Sequence, residues 1–216
     1  MSIPLPPESY RRLVCGEDWE KFEEHGRGLF EMLREFGFLD PGARLLDIGC
    51  GCGRLPRFLV DLPLGGYDGF DRHPGMIDWC QEAFTPLADR FRFHCFDLAS
   101  AYEEIDGVGG SQTVEQFAFP FPDGEFDSIV ASSVFTHLDV DDVRAYLERI
   151  HGWLAPAGRA YVSVFHLDGE SSRDGLGFFL PPARFSELLA EAGLRGENPF
   201  GTRFGPQHNW YILSKL

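Results

Sequence analysis

Three glycines at alternate positions, Gly49, Gly51 and Gly53, stand between an aspartate, Asp47, and an arginine, Arg54. The stretch reads LLDIGCGCGR, an apolar run that ends in a carboxylate and then loses its side chain at every second residue. A buried strand that gives way to such a turn brings main-chain N–H groups up to a ligand, because glycine puts no Cβ in the way. Further along come Asp71, 22 residues past Gly49, then Asp97, the pair Ser132 and Ser133, and His137. Carboxylates accept hydrogen bonds from sugar hydroxyls and amines, and an imidazole titrating near pH 6.5 can take a proton from a nucleophile. Residues of these types suit a nucleoside-containing cofactor with a base beside it.

The turn departs from the dinucleotide fingerprint G-x-G-x-x-G, which needs its third glycine at position 54, where this chain has Arg54. Asp47 also stands where a carboxylate would repel a pyrophosphate, and the same charge attracts a cation. S-adenosylmethionine, with its ammonium and sulfonium groups, is such a cofactor. LLDIGCGCGR resembles the first motif of class I S-adenosylmethionine-dependent methyltransferases. The resemblance assigns the methionine end of the cofactor to Asp47 and to the turn formed by Gly49, Cys50, Gly51, Gly53 and Arg54. It continues through YDGFDRHPGMIDWC, implying that Asp71 accepts the ribose hydroxyls and that Arg72 and Met76 pack near the adenosine. It implies further that Asp97 and the backbone of Leu98 meet the adenine, and that SSVFTHL, with Ser132 and Ser133, closes over the cofactor. On residue chemistry alone, Asp71 is also a candidate helix cap before Pro74, Asp97 a turn aspartate, and His137 a histidine held by local bonds.

Methyl transfer from a sulfonium is an in-line displacement that needs alignment and exclusion of water more than a nucleophilic triad. If the acceptor is a hydroxyl, His137 is the base to take its proton. SVFTH, the upstream FAFPFPDGEFDSI and the downstream DVRAYLERI resemble a bacterial group of small-molecule methyltransferases, over residues 26–165. That group carries a Tyr-Asn-Pro-type turn after its third strand, where this chain has Tyr102-Glu103-Glu104, so its substrate contacts do not carry over. Candidate acceptor walls are Tyr10, Trp19, the 117–121 cluster with Phe119, and Phe178 with Phe179. Two rival readings share the same turn: an NAD-type oxidoreductase, and a non-catalytic module that binds S-adenosylmethionine.

The elements that must position these residues read as alternating strands and helices. An amphipathic helix over residues 17–36 precedes strand 43–48, the glycine turn, and a helix over 54–62. Strand 67–70 leads to a helix opened by Pro74, then strand 91–96 and an irregular excursion over 99–124 of lid-like composition. Strand 126–131, helix 140–154, strand 159–165, a loop over 170–177, helix 181–192 and a last strand 210–213 follow. The expected fold is α/β, a Rossmann-like doubly wound sheet of seven strands, mostly parallel with an antiparallel last strand. A single domain is expected over 1–216, with an N-terminal helical cap over 1–40.

The length of 216 residues and 44% hydrophobic content suit one globular core, and a net charge of −15 argues against a nucleic-acid surface. Five cysteines, two inside the turn, have no second pair at zinc spacing, so they read as reduced thiols and no metal is expected. The segment MSIPLPPESYRRL lacks a signal-peptide pattern, and no apolar run approaches 18 residues. These features lead us to expect a cytoplasmic enzyme, monomeric or homodimeric, acting on a small molecule and on neither membrane nor nucleic acid.

Overall fold

A computed structural model describes residues 2–200 and 207–216, which fall into two compact units, residues 1–96 and 97–216. In the first unit, three strands pair in parallel in the order β3-β2-β1: β1 (Arg44–Ile48), β2 (Gly66–Asp71) and β3 (Phe91–Cys95). Nearly every residue of β1 and β2 is buried, as parallel strands covered on both faces require. Tyr67 of β2 lies between Phe91 and Phe93 of β3, and Phe84 stacks on the same pair. Helix α3 (Pro74–Ala83) starts on a proline and buries Met76, Ile77 and Cys80.

The N-terminal segment differs from the single helix expected over 17–36. It is an eight-residue helix, α1 (Glu8–Cys15), a 3₁₀ segment (Gly16–Lys21), and then α2 (Phe22–Glu35). Gly16, at φ 57°, ends α1, and Asp18 at φ −84°, ψ 21° prevents one continuous helix. Within α2 the buried stripe is Phe22, Gly26, Leu29 and Leu33. A glycine inside a helix costs about 1 kcal/mol relative to alanine. Here a Cβ on Gly26 would lie 2.5 Å from the Arg54 carbonyl oxygen and 2.8 Å from the Phe58 ring, so glycine permits close approach.

No α-helix forms over 54–62; the chain makes a short 3₁₀ turn, Pro56–Phe58. Phe58, Leu59 and Leu62 donate to Leu55, Pro56 and Leu59, three residues back, the bond spacing of a 3₁₀ turn.

In the second unit, β4 (Phe126–Ala131) runs parallel to β5 (Leu154–His166) through the intervening helix α5 (Val140–Trp153). The Asp139 carboxylate caps α5 by accepting from the amides of Asp141 and Asp142 at 3.1 and 3.0 Å. Strand β5 is longer than expected and pairs with β9 (His208–Lys215), antiparallel, as expected of the last strand. The expected loop over 170–177 instead holds a small hairpin, β6 (Ser172–Asp174) with β7 (Gly177–Leu180), and β7 also pairs in parallel with β5. A further short strand, β8 (Leu194–Glu197), pairs with β9 after helix α6 (Pro182–Glu191). The described residues thus form nine strands rather than seven, the additional ones being three and four residues long. The excursion after β3 contains only one short helix, α4 (Glu103–Asp106).

Candidate active site

In the first unit the chain leaves β1 at Ile48, and Gly49, Gly51 and Gly53 take φ values of 69°, 53° and 78°. A residue with a Cβ is strained at such angles, so glycine suits all three positions. The Cys50 amide ties the turn to β2 by donating to the Phe70 carbonyl at 3.0 Å. At the end of β2, Asp71 is gripped from both sides: Oδ2 accepts from the Gly51 amide at 2.9 Å and Oδ1 from the His73 amide at 3.0 Å. It does not cap α3. That role belongs to His73, whose Nδ1 accepts from the Met76 amide at 3.3 Å. Burial raises the Asp71 carboxyl above its ordinary value, and the two amide bonds pull it part of the way back. A carboxylate has about four acceptor positions, so both oxygens retain capacity for further donors.

Asp47 is more deeply placed, 4% exposed, with Oδ2 accepting from the Tyr67 hydroxyl at 2.8 Å. Burial pushes its carboxyl up to about 7, against the pull of the Tyr67 bond and the Arg54 charge. The buried thiols of Cys50, Cys52 and Cys80 are likewise raised by burial and stay neutral. Every cysteine is free, as read from the sequence, and Cys80 points its thiol at the Gly51 carbonyl, 3.6 Å away. Among the described residues no group of three or more His, Cys, Asp or Glu is arranged to hold a metal.

Helix α1 lies against this turn. Tyr10, Leu13, Val14 and Cys15 pack on Phe22, Cys52 and Met76, and a Cβ on Gly51 would lie 3.1 Å from a Val14 methyl. The Tyr10 ring stands edge-on to His73 at 5.5 Å, and Arg54 Nη1 reaches Cys15 Sγ at 3.9 Å. Arg72 offers its carbonyl to the Cys95 thiol. The turn residues, Asp71, Met76 and Tyr10 therefore come together. Trp19 is turned to other work: its ring lies under the guanidinium groups of Arg11 and Arg12, at 4.8 and 4.5 Å.

In the second unit, Asp97 is exposed, and its oxygens accept from the amide (3.0 Å) and the hydroxyl of Ser111, which hold it below the usual carboxylate range. Leu98 is buried and forms a bridge to Gln112, so the excursion folds back on its own start. Beyond β4, Ser133 takes φ 59°, a left-handed value that among described residues outside glycine occurs at this position alone. Its amide donates to the Ser163 hydroxyl at 2.8 Å, and Ser132 precedes it in the same turn. Such a conformation in a loop at a strand's carboxyl end marks a site held in shape by its surroundings.

His137 follows four residues later. Its Nδ1 lies 3.0 Å from the Leu176 carbonyl oxygen and its Nε2 3.2 Å from the Tyr102 hydroxyl. A carbonyl only accepts, so Nδ1 carries the imidazole proton and Nε2 presents its lone pair. Burial, and then the Arg173 charge, lower the His137 value, against the pull of the Leu176 bond, so the ring is neutral at pH 7. Phe178 is close by in the chain's fold, its amide donating to the Thr136 carbonyl at 2.7 Å and its ring under Arg173 at 5.4 Å. Phe119 is not part of this group. It packs on Phe117, Trp153 and Tyr146 along α5, at ring distances of 4.8, 5.0 and 6.4 Å, where it covers the helix. Sequence reasoning missed Tyr102 as the partner of His137; the only signal was its departure from the turn expected there.

A family profile described as a methyltransferase domain matches residues 22–197. Among curated proteins, phosphoethanolamine N-methyltransferase 1 of Arabidopsis thaliana is 23% identical over 155 residues, covering 72% of this chain; the chain spans 26% of that protein's length. A TehB-like S-adenosylmethionine-dependent methyltransferase from Corynebacterium glutamicum superposes with a TM-score of 0.59 and 21% identity, covering 89% of this chain and 99% of that one. The 1,6-didemethyltoxoflavin-N1-methyltransferase of Burkholderia thailandensis, solved with its substrate and S-adenosylhomocysteine, gives a TM-score of 0.55 at 20% identity, covering 100% of this chain and 93% of that one.

Proposed function

Because the chain belongs to the class I S-adenosylmethionine-dependent methyltransferases, we propose that it methylates an oxygen nucleophile on a small molecule. The observation that carries the oxygen assignment is the tautomer of His137: with Nδ1–H committed to Leu176, Nε2 is a neutral base able to receive a hydroxyl proton. The resident cofactor, S-adenosylmethionine, supplies a methyl group on a positively charged sulfur. The residues of the first unit fit it. The glycine turn brings main chain up beside Asp71, which is already oriented by two amides, one of them from Gly51, with acceptor positions to spare for vicinal hydroxyls. Asp47, its carboxyl pushed up to about 7 and so divided between its two forms at that pH, is a group that a nearby ammonium would ionise fully.

In this reading Gly49, Cys50, Gly51, Gly53, Arg54 and Asp47 hold the methionine end, Asp71 the ribose, Arg72 and Met76 the adenosine, and Asp97 with Leu98 the adenine. Ser132 and Ser133 close over the cofactor, while Tyr10 and Phe178 line the acceptor's approach. The net charge of −15 supports a small molecule over a nucleic acid. Among the described residues no helix is long and apolar enough to cross a membrane.

Calorimetry with S-adenosylhomocysteine and NADH, followed by transfer of labelled methyl from S-adenosylmethionine to a panel of phenols, aliphatic alcohols and amines, tests the proposal. Binding of the first ligand alone and label on hydroxyl compounds are expected. Label only on amines would overturn the oxygen assignment, and NADH binding would overturn the cofactor assignment.

A further inference from the structure

The lone pair that makes His137 a base is already covered. Tyr102 comes from the turn that opens α4, and its hydroxyl reaches His137 Nε2 at 3.2 Å, with the two rings edge-on at 4.9 Å. Since the imidazole proton sits on Nδ1 facing Leu176, the phenol must be the donor in this bond, and a phenol that donates keeps lone pairs with which to accept. Among the described residues, the other charged or titratable groups that face His137 are Arg173, which also donates to the His137 carbonyl at 3.4 Å, and His208. Both resist a positive charge on the ring in the resting state. An incoming hydroxyl therefore finds a phenol oxygen standing in front of the base.

We propose that Tyr102 is the group that meets the acceptor, and that it relays the acceptor's proton to His137. The step rests on the oxygen reading above. As the acceptor oxygen forms its bond to the methyl carbon, the sulfur–carbon bond breaks with its electron pair going to sulfur. The acceptor's proton passes to the Tyr102 oxygen, and the Tyr102 proton passes to His137 Nε2. The positive charge lost from sulfur ends on the imidazolium, and Tyr102 is regenerated as the neutral phenol. The arrangement makes the excursion over 99–124 part of the chemistry, because it carries the relay residue.

The test compares Tyr102→Phe, which keeps the ring and removes the hydroxyl, with His137→Gln and the double variant. In the protein without cofactor, ¹⁵N spectra of the histidine rings should show His137 protonated on Nδ1 in both wild type and Tyr102→Phe. The Nε2 resonance should move in the variant, because its hydrogen bond is gone. On a hydroxyl compound from the panel, Tyr102→Phe should lower kcat about a hundredfold with KM within about threefold. The double variant should be no slower than the slower single variant, since both residues serve one proton path. S-adenosylhomocysteine affinity should be unchanged in all three. A hydroxyl methylated by Tyr102→Phe at the wild-type rate, or an unmoved Nε2 resonance, overturns the relay alone. A wild type that labels amines and no hydroxyl overturns the oxygen reading and the relay with it.

Discussion

In the first unit, the turn over residues 49–53 is shaped by three glycines with positive φ and tied to β2 by hydrogen bonds from its own amides. In the second unit, His137 owes its tautomer to a carbonyl 39 residues later and its occupied lone pair to a phenol 35 residues earlier. One region is built from contiguous backbone and one carboxylate; the other is assembled from side chains and carbonyls of segments far apart in the chain. Backbone geometry is insensitive to most substitutions, so a turn of this kind can serve the same cofactor in chains that share little sequence. An assembly of dispersed side chains changes with any one of its contributors, which suits a part of the molecule that must recognise its own acceptor.

That contrast breaks first at His137. With its base removed, His137→Gln should lower kcat on a hydroxyl acceptor by about 10²- to 10⁴-fold while leaving S-adenosylhomocysteine affinity intact. Calorimetry and initial rates on the same preparation check it, and a loss of cofactor affinity would show that the two regions are not separable in function. Because burial and Arg173 lower the His137 value, the wild-type rate should stay level down to about pH 6.5 and fall only below it. A rate that already falls between pH 8 and 7 would contradict the neutral resting ring.

The counterpart in the first unit is Asp71→Ala. Losing a charge-assisted acceptor of two ribose hydroxyls is worth about 1.5 to 3 kcal/mol, roughly a 10- to 100-fold weaker cofactor. The same substitution strands the amides of Gly51 and His73, so a thermal melt must accompany the binding measurement. Asp71→Asn, which keeps an acceptor oxygen for one amide, should recover part of the stability but not the affinity.

The same contrast decides what could be read in advance. The run from Arg44 to Asp71 is local: a buried strand, glycines at fixed spacing and a second buried strand leave their marks in adjacent residues. What escaped reading there was also local, namely that the chain after the glycine turn closes bonds three residues back instead of four and that His73, not Asp71, caps the next helix. In the second unit β6 is exposed at all three positions, so no alternation of polar and apolar residues betrays it. The pairing of Tyr102 with His137 is a contact between two excursions, for which hydrophobic period carries no information. Aromatic content was similarly mute about destination: Phe119 went to Trp153 on α5 and Trp19 to two arginines of α1, since a ring satisfies any apolar or cationic neighbour.

The smallest effect expected from these comparisons lies under the turn, at Asp47. Its carboxyl is pushed up to about 7 in the folded protein, against about 3.9 for an aspartate in an unfolded chain. Between these values the folded state binds the extra proton. The contribution of Asp47 to stability is therefore intact below about pH 4, diminishes as pH rises, and is gone above about pH 7. The histidines His137, His166 and His208 are all lowered by partial or full burial and act in the opposite sense, gaining stability as pH rises toward 6.5, so wild type alone does not isolate the carboxyl. The difference between wild type and Asp47→Asn does, because the amide keeps an oxygen for the Tyr67 hydroxyl and never ionises. The variant should melt a few degrees above wild type at pH 8 and no higher than wild type at pH 5. A constant offset across that range would mean that Asp47 does not titrate there. Its charge would then be carried by the fold itself, and the turn would owe the cofactor's cation nothing.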